Sequence, residues 1–323
     1  MSSSSTTDSS QVDVTLRQFD QAHLLVRVFF VVMLFFSTHL AMEGWATWRA
    51  STAIIPLWPI RWIELIPTEI AIDIIVGGVL VSCLLSVIFV ENRWARLNAA
   101  VFVFFLHALI NSFGKINHSW HSWLWVLFSF VLLQNNGWEN IRKSKVQREQ
   151  FLAVFWGAQL LVMLAYTMAG VWKVYGIFRQ WQQGVVTALN PNAFAYQIAN
   201  RTLETNTMGM LSEFTLTYPW IGWLPYLAAI YIETFAVVAI FRPKLHKAWA
   251  LGLILFHMGT WLTMSIPFNT YLFLVGFIIW YSPFAVNPKS PLELVYELPM
   301  VKWFIVLTQW KNNARSVATD VPK

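Results

Sequence analysis

The chain has 323 residues, of which 57% are hydrophobic and 12% charged, with 19 Trp and 25 Phe. So little polar surface cannot cover a soluble domain, and the composition implies an integral membrane protein. The formal charge of +6 comes from 22 Lys and Arg scattered between apolar runs, which argues against a nucleic-acid partner, and the single cysteine, Cys83, excludes an intramolecular disulfide and a cysteine metal cluster.

Residues 1–20, MSSSSTTDSSQVDVTLRQFD, are polar and Ser-rich and lack the basic start, short apolar core and cleavage site of a signal peptide. They read as a disordered tail. Apolar runs near the roughly 20 residues that cross a bilayer follow at 24–44, 70–90, 97–113, 151–174, 220–241 and 248–265, and shorter ones at 120–133 and 271–286. The expected fold is therefore an all-α polytopic bundle of about eight transmembrane helices. The long connection between the fifth and sixth spans, 175–219, is expected to form amphipathic helices over the outer face. The stretch PMVKWFIVLTQW, 299–310, reads as a short interfacial helix in a tail at 287–323.

Positive residues concentrate in cytoplasmic loops. Threading eight spans through the sequence puts 15 Lys and Arg on the side of both termini and 6 on the other, with Arg27 inside the first span. Both termini are thus expected in the cytoplasm, with a bacterial inner membrane as the favoured host. The tripeptides NHS at 117 and NRT at 200 face outward in this topology and match the glycosylation acceptor, which matters only in a secretory compartment.

Ionisable residues inside spans are costly and so are candidates for function. Arg27, three residues into its span, is expected to snorkel to the headgroups. His107, Asn111 and Lys115 recur every four residues on one helical face aimed at the outer surface, and GKINHSWHSW continues it with Asn117, His118 and His121. That face needs protein or water beside it, either as a site or as interhelical bonding. Glu233 and His257 lie at similar depth on antiparallel spans and are expected to form a buried polar pair. No HxxxH or CxxCH spacing is present, so no metal or haem is expected. In LAYTMAGVWKVYG, 164–176, Lys173 stands where the apolar run ends, as either an anchor at the membrane surface or a base held half out of water. Trp172 and Tyr175 beside it are expected to supply a dry wall or a stacking surface.

Three blocks, INHSWHSWLWVLFSFVLL at 116–133, AGVWKVYG at 169–176, and ETFAVVAIFRPK with LILFHMGTWLTMSIPFNTYLFLVGFIIWYSP between 233 and 283, resemble the membrane domain of vitamin K-dependent gamma-glutamyl carboxylases. The broader group is the horizontally transferred transmembrane (HTTM) domain, and the resemblance spans roughly residues 20–285, within a transmembrane domain at 21–286. It implies outward-facing chemistry in which a lysine deprotonates a reduced quinone, with oxygen as the second reactant. Lys173 would be that base, and His118 with Asn117 would orient the substrate or stabilise its charge. His107, Asn111, Lys115, Trp172 and Tyr175 would line the pocket. The large lumenal portion that holds the peptide in those carboxylases has no counterpart in the tail at 287–323, so a reduced quinone or another lipophilic substrate is expected rather than peptide carboxylation. The rival expectation is a non-catalytic membrane protein that binds lipid or matures or exports a partner.

Overall fold

The computed structural model describes residues 6–51, 54–114, 116, 118–135, 137–185 and 187–301, and every regular element among them is helical. Four helices are long and apolar enough to cross a membrane. They are α1 (Thr6–Ala50), α2 (Thr68–Ile88), α3 (Arg93–Asn111) and α6 (Lys145–Gln182). Of the other apolar runs, 248–265 lies in an unbroken helix of 19 residues, His246–Met264, and the rest form helices that are shorter or interrupted. The chain divides into two compact units, Met1–Val162 and Met163–Lys323.

In the first unit, α1 packs on α2, α2 on α3, and α3 on α4 (His121–Val131). Aromatic side chains close its core. Phe29 stacks on Trp123 at 5.4 Å and meets Phe130 edge-on at 5.1 Å, and Phe130 stacks on Phe155 at 5.9 Å. Such pairs add about 0.5–1.5 kcal/mol each beyond the area they bury. The described part of the expected N-terminal tail is helical, because α1 already begins at Thr6. Burial explains this: Phe19 is covered and meets Phe151 edge-on at 5.0 Å, so helix is stabilised upstream of the apolar run.

Polar bonds tie one end of this unit together. The Arg27 guanidinium donates to Glu91 at 2.8 Å and lies over the Trp138 ring, while the other Glu91 oxygen accepts at 3.0 Å from the backbone N–H of Trp138, the first residue of α5 (Trp138–Lys143). Arg27 therefore has protein partners, where the sequence suggested headgroups. Arg96 is fully buried and donates to the carbonyls of Val90 at 2.6 Å and of Leu133, joining the α2–α3 turn to the end of α4. A guanidinium has five donors and can satisfy several chain-end carbonyls at once.

In the second unit, the later half of α6 is followed by α7 (Ala193–Thr205), α8 (Ser212–Thr217), α9 (Pro219–Thr234) and α10 (Ala236–Ile240). Next come α11 (His246–Met264), α12 (Asn269–Val275) with a π-helical turn at Gly276–Trp280, and α13 (Pro291–Glu297). The connection at 175–219 does contain helices, α7 and α8, both packed on α9. Gly209 lies so close to Leu262 and Thr263 that a Cβ there would overlap their backbone. The Leu211 N–H then reaches the Leu262 carbonyl at 2.8 Å, seating the start of α8 on the end of α11.

The run at 220–241 is broken at Phe235 into α9 and α10. The Val237 N–H beyond the break donates to the Thr167 hydroxyl of α6 at 2.8 Å, which satisfies a backbone group that a membrane interior would penalise. Of the interfacial helix expected at 299–310, all but 299–301 lies outside the described residues.

Candidate functional site

Tyr166, Ala169 and Lys173 fall at spacings of three and four on α6 and so share one face. Gly170, on the adjoining strip, lets α9 approach: a Cβ there would collide with the backbone of Glu233 and Thr234. That approach places the Glu233 carboxylate, which is 4% exposed, against the Lys173 ammonium, which is 38% exposed, and the two form a hydrogen-bonded ion pair. Lys173 also lies 5.2 Å from the centre of the Phe256 ring, a cation over a π face.

One turn away, α11 presents His257, buried, with its Nε2 2.6 Å from the Tyr166 hydroxyl. Its Nδ1 is buried and has no hydrogen-bond partner. Phe256, Phe268 and Tyr271 surround the imidazole at ring-centre distances of 4.9, 4.9 and 5.4 Å. These groups line one cavity of about 240 Å³, with Lys173, Glu233, Tyr166 and His257 as its polar edge and aromatic rings as most of the rest. The arrangement brings one ion pair and one imidazole with an unpartnered nitrogen to the edge of a largely aromatic cavity.

A second space in this unit is an apolar groove of about 420 Å³ between α8, α9 and α11, and Phe256 lines it as well as the cavity. The hydroxyls of Thr215, Thr260 and Thr263 on its wall donate to carbonyls of their own helices at 2.8, 2.9 and 2.7 Å. The groove therefore makes little hydrogen-bonding demand and suits hydrocarbon.

The expected direct pairing of Glu233 with His257 is replaced by two pairs, Glu233 with Lys173 and His257 with Tyr166, on the edge of one cavity. Depth along a span cannot show which way a side chain points around its helix. Trp172 and Tyr175 are 73% and 49% exposed and pair with each other at 5.5 Å, so they line neither space. The dry wall expected of them is supplied by Tyr166, Phe256, Phe268 and Tyr271. Tyr166 was legible as a hydroxyl seven residues before Lys173 on the same face of an apolar run. The aromatic residues of α11 and α12 carried no signal that separated them from other span residues.

The remaining candidates belong to the first unit. His118 is exposed, with its Nδ1 3.3 Å from the Nδ1 of His121. His107 and Asn111 do share one space, a cavity of about 420 Å³ on the α3–α4 side. Lys115 and Asn117 lie outside the described residues. Among the described residues no group of three or more His, Cys, Asp or Glu is placed to hold a metal. No protein-family model, curated protein or solved structure matches the chain.

Proposed function

We propose that the protein is an HTTM-like membrane protein of about eight spans with both termini in the cytoplasm, and that its second unit binds a reduced quinone or a similar lipophilic hydroxyl compound for proton removal by Lys173. The observation that carries this reading is the inward turn of Lys173. A surface anchor has its ammonium among headgroups, whereas this one is bonded to a carboxylate that is 4% exposed. A cavity of about 240 Å³ is just below the roughly 300–1,000 Å³ of sites for drug-sized ligands. It suits a ring system, and the adjoining groove suits the hydrocarbon that makes such a ring lipophilic.

The pair supplies the base. In a dry site the ion pair and its neutral form, in which the proton has moved from Lys173 Nζ to Glu233, are closer in energy than they are in water. From the neutral form the amine takes the proton of the substrate O–H. This leaves an aryloxide beside the new ammonium and Glu233 protonated, so one proton has moved and charge is conserved. His257 Nδ1 is available to a second oxygen of the guest. Dioxygen is the second reactant that the resemblance brings.

Oxygen-dependent turnover of a reduced naphthoquinone by the purified protein tests the proposal. Lys173→Ala and Lys173→Arg are both expected to abolish turnover while folding persists, because a guanidinium does not give up its proton in proteins. Full turnover by Lys173→Arg would overturn the base assignment. The apolar groove also favours a second reading, a non-catalytic protein that binds lipid or matures or exports a partner. Acyl lipid that copurifies with the protein, together with absent quinone turnover, selects it.

A further inference from the structure

The Lys173 reading makes no use of the cavity in the first unit, yet that cavity has the features of a built site. Its volume, about 420 Å³, falls within the usual ligand range. Its walls are aromatic: Phe104 meets Phe128 edge-on at 5.9 Å and Trp58 at 6.1 Å, and Trp120 and Trp125 stand on the α4 side. One wall is held in place. Residues 55–57 are fastened to the end of α3 by Ile55 N–H to the Ser112 carbonyl and Leu57 N–H to the Ser112 hydroxyl, both at 3.0 Å, and that hydroxyl donates to the Ala108 carbonyl at 2.7 Å. Aromatic walls fixed before a ligand arrives lower the entropic cost of binding.

The second observation is His107. It is 5% exposed, lies 4.8 Å from Trp120 ring to ring and lines this cavity, and its Nε2 is buried with no hydrogen-bond partner. An unsatisfied buried nitrogen costs about 1–3 kcal/mol, and native structures rarely leave one without a purpose. An imidazole nitrogen is a donor or an acceptor according to tautomer, and a hydroxyl can serve either one.

We infer that this cavity is a binding site for a planar, uncharged molecule of one or two fused rings bearing a hydroxyl, the ring held between the aromatic walls and the hydroxyl bonded to His107 Nε2. The site is independent of the Lys173 cavity and stands whether or not Lys173 is a base. Naphthalene and 2-naphthol are suitable probes because they differ only in that hydroxyl.

Equilibrium dialysis of the full chain in detergent would be run in a Lys173→Ala, His257→Leu background, which removes the ammonium and the imidazole from the other cavity's polar edge. There 2-naphthol is expected to bind saturably and about tenfold more tightly than naphthalene, the factor one neutral hydrogen bond supplies. His107→Leu should remove that preference, and His107→Gln, which keeps a polar group, should retain part of it. A photoreactive naphthol should label residues 57–59 or the segment 104–128 in the otherwise unaltered chain, a readout that needs no variant to fold. Absence of saturable binding, a preference that survives His107→Leu, or labelling confined to other segments would each overturn the assignment.

Discussion

At the scale of single residues, the Lys173–Glu233 pair is unequal. Glu233 is nearly fully buried and Lys173 only about two-thirds so. Deleting the lysine strands a charge with no water, and deleting the carboxylate strands one that can still reach solvent. Lys173→Met is therefore expected to cost about 3 kcal/mol or more and Glu233→Gln clearly less. Replacing both by apolar residues of similar size should recover most of the loss, and denaturant melts of the four proteins would show it. Equal costs for the two single changes would mean that burial does not govern the pair. Tyr166→Phe leaves both His257 nitrogens unbonded and should cost about 1–3 kcal/mol. Sequence reasoning found Lys173, Glu233 and His257 because a charge or imidazole inside an apolar run has few reasons to be there. It paired them wrongly because a one-dimensional depth carries no azimuth, and it passed over Phe268 and Tyr271 because aromatic residues are ordinary in spans.

At the scale of elements, glycine decides two contacts with opposite consequences. Gly170 lies against the backbone of α9 and has no room for a methyl group, whereas Gly259, on the groove wall, has open space where a Cβ would be. Gly170→Ala should push α9 away and weaken the ion pair, lowering stability by roughly 1–3 kcal/mol, the usual cost of overpacking. Gly259→Phe should fold well and fill the groove. On the proposed function it reduces the affinity for long-tailed quinones far more than for tail-less ones, read as a split in KM; loss of binding for both would mean that the groove does not carry the tail. The four long helices coincide with four of the six runs of near-spanning length. The break at Phe235 was not legible, because the bond that accompanies it comes from Thr167, 70 residues away from Val237.

At the scale of the whole molecule, the proposed eight spans and cytoplasmic termini rest on the charge asymmetry. In a Cys83→Ser background, cysteines at Gln182 and Ser144 are expected to react with an impermeant thiol reagent from opposite sides of the membrane; reaction from the same side would remove that topology. Beyond the last apolar run, α13 is held to the turn at Pro243–Leu245, where Lys244 bonds Glu293 at 2.7 Å. The Lys244 hydrogen bond keeps the Glu293 carboxyl below its usual range, and Glu293 in turn raises Lys244. A depressed acid contributes stability above its unfolded pKa and loses it as pH falls through the lower folded value. A raised lysine contributes below its unfolded pKa and loses it as pH rises through the higher folded value. The clasp should therefore be intact at neutral pH, opening only as pH falls below the ordinary carboxylate range or rises above the ordinary lysine range. A spin label at Val295→Cys should become more mobile in both extremes, and a mobility constant across pH would show that the pair does not hold α13.

The bond from Val237 to Thr167 also has a kinetic meaning. An amide inside an unbroken helix exchanges its hydrogen for deuterium only when several turns open together, but one held by a single side chain is released by one rotamer change. The Val237 amide should thus be among the first in its span to exchange, with an opening rate set by the Thr167 side chain. Thr167→Val, which keeps the shape and removes the acceptor, should speed that one site while its neighbours toward Pro219 stay slow. Water is expected to enter the run at 220–241 first at this peptide group.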